Sequence, residues 1–263
     1  MAVKRYDIHN VGYRIYKKIE KFSAVEGKWT GIYFMDWQRK LKQYRNIYRD
    51  ETAFLIGNGP SVRIEDLERL KGRITFCCNK FYMSYAYHSF RPTYTVSADD
   101  KMIEDFGDEI VKNSSGIVWF CSTFPVVQKE KDFYWVFMQS EKMRMEEGAL
   151  PAGVYHTGAT LLAALQIGYY MGIRQFVLYG VDHNFKYESK DLKSSTTEGN
   201  HFIENYREGK PWFVPDTLRI EYSFKKMADI LEEQGGYLVN ASRKTRLPYI
   251  KLAAFEDYLL EQA

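Results

Sequence analysis

From Thr52 onward the chain alternates short apolar runs with longer amphipathic ones, and this rhythm constrains the fold most. The apolar runs are TAFLIG (52–57), RITFCC (73–78), TYTVS (93–97), GIVWFC (116–121), QFVLYG (175–180) and GYLVN (236–240). They are rich in β-branched and aromatic residues and mostly lack polar alternation. Strands covered on both faces read this way, because neither face meets water. Between them, RIEDLERLKG, DKMIEDFGDEIVKN, TGATLLAALQIGYYMG and TLRIEYSFKKMADILEEQG carry helical periodicity. The last runs into Gly235 and Gly236, a helix stop signal. Such alternation predicts an α/β fold: a mostly parallel, Rossmann-like sheet with helices on both faces.

The chain divides at about residue 50. Residues 1–50 hold twelve of its 37 Lys/Arg but only five of its 34 Asp/Glu, interleaved with Tyr6, Tyr13, Tyr16, Trp29, Trp37, Tyr44 and Tyr48. This predicts a basic, helical N-terminal extension before one catalytic domain over 51–263. Its aromatics can pack on that domain, or it can face an anionic membrane surface or a polyanionic substrate. Nucleic acid would rest on this charge alone and is not an expected partner. No apolar run approaches the roughly 18 residues of a membrane-spanning helix, and the start lacks a secretory apolar segment. Cys77, Cys78 and Cys121 lack metal-type spacing. Together these features predict a cytoplasmic protein, with residues 1–50 as the part able to touch the inner face of a membrane.

Residues 183–215 break the rhythm with no sustained period. A connection this long predicts a lid over a site. Open parallel sheets bind ligands at the carboxyl ends of their strands, and polar residues collect there. Gly57, Asn58, Gly59, Pro60 and Ser61 follow the first strand, and Asn79 and Lys80 the second. Ser97, Asp99 and Asp100 follow the third, Asp182, His183 and Asn184 a later one, and Asn240 and Arg243 the last. Each alone reads equally as a turn former or cap, and Asp99 as an N-cap. Taken as a site, glycine at 57 and 59 would let backbone N–H groups approach a nucleotide phosphate. Neither a G-x-G-x-x-G loop nor a P-loop is present, since Val62 takes the third glycine's place and no Gly-Lys-Ser/Thr follows. Thr157 and Gly158 precede a small-residue helix whose start offers a second phosphate contact, or simply an N-cap.

The ordered set IGNGPS, CCNKFY, TYTVSADD, TGATLLAALQIGYYMG, LYGVDHNF, HFIENY and YLVNAS resembles the bacterial DUF115 family over about residues 52–250. That family is grouped with archaeal MptE-like 6-hydroxymethylpterin pyrophosphokinases and with motility accessory factor proteins. A more distant resemblance is to bacterial lipooligosaccharide-type sialyltransferases. Their Gly-Asn-Gly-Pro-Ser is similar to 57–61, and their Cys-Asn-x-Phe-Tyr to Cys78, Asn79, Phe81 and Tyr82. Their Gly-Val-Tyr matches Gly153–Tyr155, and their Gly-x-Asp matches Gly180 and Asp182. This resemblance implies that Asn58, Asn79 and the glycine loop hold a nucleotide. The chain departs at the sialyltransferase His-Tyr-x-x-His: His201 matches the first histidine, but Asn205 stands at the second, catalytic one. Asn184 stands where those enzymes carry a phosphate-binding tyrosine.

Two enzymatic readings and one non-catalytic reading follow. The first is a glycosyltransferase-like enzyme using a nucleotide-activated sugar, CMP-linked among the candidates, to build a surface polysaccharide on a glycan or lipid-linked acceptor. Asp99, His183 and His201 are its candidate bases. Gly57–Ser61, Asn79, Thr157, Gly158 and Asp182 would bind the nucleotide, with Lys80 and Arg243 stabilising its departing charge. The second is an ATP-dependent pyrophosphokinase in which Asp99, Asp100 and Asp182 hold Mg²⁺. The third is a nucleotide-binding protein without catalysis.

Overall fold

The computed structural model describes residues 4–5, 40–123, 126–127, 133–139, 150, 153–186, 199–210 and 212–259. Its centre is a nine-stranded, all-parallel sheet. In chain order the strands are β1 (Thr52–Ile56), β2 (Ile74–Cys78), β3 (Tyr94–Ser97), β4 (Ile117–Ser122) and β5 (Phe133–Gln139). Then come β6 (Val154–Tyr155), β7 (Gln175–Tyr179), β8 (Tyr237–Asn240) and β9 (Lys251–Leu252). The spatial order is β9-β8-β7-β1-β2-β3-β4-β5-β6. The chain therefore grows outward from β1 in one direction through β6, then crosses back to β7 on β1's other side. That reversal beside β1 is a topological switch point, where a parallel sheet opens a crevice.

All six strands read from the sequence are present. The other three elude the alternation rule. No helical pattern separates β5 from β4, and two-residue strands such as β6 and β9 are too short to show any period. Among the described residues four helices pack on the sheet: α1 (Ile64–Glu68), α2 (Asp100–Asn113), α3 (Thr160–Tyr170) and α4 (Thr217–Glu233). Alternate residues of β1 show why its run is wholly apolar. Ala53 and Leu55 enter the cluster formed with α3 and α4, while Phe54 and Ile56 enter the cluster holding Leu67 and Leu70. α3 is apolar nearly all round because ten of its eleven residues are buried. A third cluster packs α2 through Ile103, Phe106 and Ile110 onto Val118 and Phe120 of β4.

Of the N-terminal extension, the described residues are 4–5 and 40–50. Leu41 and Tyr44 join the same core as the sheet, and the Tyr48 and Tyr94 hydroxyls share a 2.9 Å hydrogen bond. The rest of the basic extension lies outside the described residues. Among the described residues, no helix is long and apolar enough to cross a membrane.

Candidate functional site

Two cavities open at the carboxyl ends of the central strands. The larger, of about 470 Å³, is lined by Asp99, Asp100, His156, Thr157, Gly158 and Arg219 among others. The smaller, of about 190 Å³, takes in Gly57–Pro60, Asp182 and His183. Asn79, Ala159, Thr160 and His201 line both, so the cavities meet at the start of α3. The larger falls in the range of about 300–1,000 Å³ usual for ligand clefts. Ser61 lines neither cavity.

The glycine loop is held differently from the phosphate cradle expected of it. The Gly57 N–H donates to the Tyr179 carbonyl at 2.7 Å and the Gly59 N–H to the Gly180 carbonyl at 2.9 Å. The Ser61 N–H and hydroxyl both go to the Asp182 carboxylate, the N–H at 2.8 Å. These donors are spent on the chain itself and are not presented to an anion. The glycines are required for a different reason. A Cβ on Gly57 would lie 2.4 Å from the Gly180 oxygen, and one on Gly59 2.6 Å from Asp182 Cγ. The close approach is that of the β7 end, whose backbone runs against the loop. Asp182 is thus the loop's brace. Burial raises its pKa above the ordinary value against the lowering pull of Ser61.

Asn58 and Asn79 meet at a hub that sequence reasoning missed. Tyr206 is buried, and its hydroxyl receives Asn58 Nδ2 at 2.8 Å and the Lys80 N–H at 3.0 Å. The His201 ring stacks on Tyr206 with centroids 3.9 Å apart and planes 11° apart. The Phe202 N–H donates to the Asn58 carbonyl at 2.9 Å, and the Arg207 guanidinium meets Asp105 at 3.0 Å. Residues 199–210 are therefore seated on the sheet by a buried aromatic and an ion pair. Over these residues the expected lid is anchored to the sheet; 187–198 and 211 lie outside the described residues. Asn58 Oδ1 is buried without a donor. Asn79 holds φ +54 while its Oδ1 accepts from the Ser97 hydroxyl at 2.8 Å.

In the larger cavity, Asp99 is the N-cap of α2. Its Oδ1 accepts from the Lys101 N–H at 2.8 Å and the Met102 N–H at 3.1 Å. Thr157 is not the cap of α3: Ala159 takes that position and makes no side-chain cap bond. Ala159 and Thr160, at the start of α3, line both cavities, and of the first-turn N–H groups that of Leu162 goes to the Ala159 carbonyl at 3.1 Å. His156, overlooked as a site residue, lines this cavity. Burial, then the charge of Arg219, hold its pKa below the ordinary value. Arg219 itself donates to the His156 carbonyl. His183 lies in the smaller cavity, in the left-handed region at φ +48, its Nε2 2.8 Å from Glu221 Oε1. The three candidate bases are thereby separated: Asp99 in the larger cavity, His183 in the smaller, His201 between.

The carboxylates assigned to Mg²⁺ do not form a donor set. Asp100 accepts from the Thr123 N–H and hydroxyl, Asp182 from Ser61, and Asp99 caps a helix. Among the described residues, no three His, Cys, Asp or Glu side chains gather as a metal site.

Two cations also sit elsewhere than expected. Lys80 is fully buried, with Nζ on Glu208 and 3.9 Å from the Phe106 ring centroid, and lines neither cavity. Arg243 binds both oxygens of Asp66, at 2.7 and 2.8 Å, and Glu256 at 2.7 Å. Burial alone would raise the Asp66 pKa. The hydrogen bonds from Arg243 and Tyr179 outweigh it, and the net shift is below 3.8. A carboxylate lowered in the folded state stabilises at pH above its unfolded pKa and loses that contribution as pH falls through its folded one. Arg243→Met is therefore expected to lower stability at pH 7, with the difference from wild type shrinking as pH drops below 3.8. Urea titrations from pH 7 to pH 2 check this; a constant difference would mean that Arg243 acts through packing.

Fold and site together define an α/β protein with a Rossmann-like parallel sheet and a two-chambered cleft at its switch point. No family profile and no curated protein matches the chain. Among solved structures it is similar to the MAf glycosyltransferase from Magnetospirillum magneticum AMB-1, at 12% identity and a TM-score of 0.49. That match covers 86% of this chain and 39% of that protein's length.

Proposed function

We propose that the protein is a glycosyltransferase-like enzyme. It moves a sugar from a nucleotide-activated donor, CMP-linked among the candidates, to a glycan or lipid-linked acceptor of a bacterial surface polysaccharide. The observation that carries this reading is the meeting of two cavities at the uncapped start of α3. A nucleotide sugar has two bulky parts joined through phosphate. The nucleoside fits the smaller cavity, which Asn58 and Asn79 line. The phosphate falls at the helix N-terminus, whose N–H groups and dipole favour an anion. The sugar then projects into the larger cavity beside Asp99.

The acceptor hydroxyl attacks the anomeric carbon. The bond from that carbon to the phosphate oxygen breaks, and the nucleotide leaves with the electron pair. Asp99 takes the hydroxyl proton through Oδ2, its other oxygen being fixed by the cap. Fixed backbone donors at α3 stabilise the leaving phosphate. The resemblance to the DUF115 group is compatible with this reading.

A melting panel of CMP, CDP, UDP, GDP and ATP, each with Mg²⁺ or excess EDTA, tests it. A ligand at one hundred times its Kd stabilises by about 2.7 kcal/mol. For a chain of this size that raises Tm by on the order of 5 °C or more. The expected result is a shift with a pyrimidine or guanine nucleotide that survives EDTA. A shift with ATP alone, and only with Mg²⁺, would overturn it.

A further inference from the structure

We propose that Trp212 and Phe213 form a sugar-binding platform at the mouth of the larger cavity, taking a pyranose ring by its apolar C–H face. Its assignment to the acceptor rests on the function proposed above. Both residues line the cavity that holds Asp99 and His156. Phe213 is 56% exposed there, an open ring face at the rim of a polar cleft. Trp212 contributes a second ring, 6.4 Å from that of Phe185.

The chemistry of the neighbourhood selects the ligand. A pyranose presents an apolar face and a rim of hydroxyls that both donate and accept. The rings meet the face. Asp99, Asp216 and Arg219, on the same cavity wall, supply acceptors and donors for the rim. An apolar ligand would leave the second carboxylate oxygens of Asp99 and Asp216 and the remaining N–H groups of Arg219 unanswered. A nucleobase would answer the rings but meets no matching role for paired carboxylates.

Saturation-transfer NMR on the full chain, with methyl β-D-galactopyranoside, lactose and maltose as probes, tests the platform with and without the best nucleotide of the melting panel. At least one sugar is expected to receive saturation, concentrated on the C–H protons of one ring face. Phe213→Ala is expected to weaken that binding about three- to tenfold, Trp212→Phe to weaken it by shrinking the second ring, and Phe213→Tyr to restore it. Nucleotide-induced melting shifts should be unchanged in all three. No saturation of any probe overturns the platform, as does binding indifferent to both Phe213→Ala and Trp212→Phe. So does a loss of nucleotide rather than sugar affinity in these variants. Sugar binding that depends on 212 and 213, with no nucleotide shift, would leave the platform standing and remove the donor reading. Nucleotide shifts without sugar binding would do the reverse.

Discussion

Asp99→Asn is expected to lower the rate of sugar transfer about 10²- to 10⁴-fold while leaving the melting temperature near that of wild type. Asparagine is as good an N-cap as aspartate. Its side-chain oxygen can still accept from Lys101 and Met102, so α2 keeps its start. What it loses is the ability to take a proton. Asp99→Ala removes both roles and should also cost about 1 kcal/mol of stability. The pair separates chemistry from architecture. The readout is release of nucleotide from the sugar nucleotide that the melting panel selects, beside thermal denaturation followed by circular dichroism. Full activity in Asp99→Asn would reduce Asp99 to a structural cap and pass the proton to His156 or His201.

Gly57→Ala is expected to be among the most damaging single-methyl additions in the chain. The new Cβ would sit 2.4 Å from the Gly180 oxygen and 3.0 Å from its carbonyl carbon. Both are backbone atoms of the strand end that closes the loop, and no side-chain rotation relieves them. Overpacking of this kind costs about 3 kcal/mol. Gly72→Ala is the control. It has positive φ, at +80, but nothing lies within 4 Å of its added Cβ. It should cost only the left-handed backbone strain of about 1–2 kcal/mol. Urea denaturation of the two variants measures the difference. If Gly57→Ala is as mild as Gly72→Ala, the loop is free to move off β7. The same experiment bears on nucleotide binding, since a displaced loop would deform the wall of the smaller cavity.

Six of the nine strands and most of the helices are legible in the residues alone. A strand with both faces covered is apolar at nearly every position, and β1, β2, β4 and β7 show this without any knowledge of their neighbours. The helix starts and stops were equally local: Asp99 caps α2 through N–H groups two and three residues on, and Gly235 takes φ +75 just past α4. The sequence also pointed to the right edge of the sheet, because polar residues after strands are a one-dimensional signal of the carboxyl ends.

What those residues do follows from contacts made across the fold. The motif Gly-Asn-Gly-Pro-Ser is the same whether its glycines admit a phosphate or a neighbouring strand end. Only the position of Gly180 and Asp182, more than 120 residues later, distinguishes the two. Lys80 and Arg243 follow strands as ligand-binding cations do, yet each is spent on carboxylates brought from distant segments, Glu208 in one case and Asp66 in the other. Tyr206 becomes the hub of Asn58 and Asn79 because an aperiodic segment folds back onto the sheet, and no periodicity announces that return. Local patterns record which side of a strand or helix is buried, since burial acts on each residue where it stands. The partner of a buried donor or charge is fixed by whichever segment arrives across the fold, and that pairing leaves no mark on the spacing of the chain.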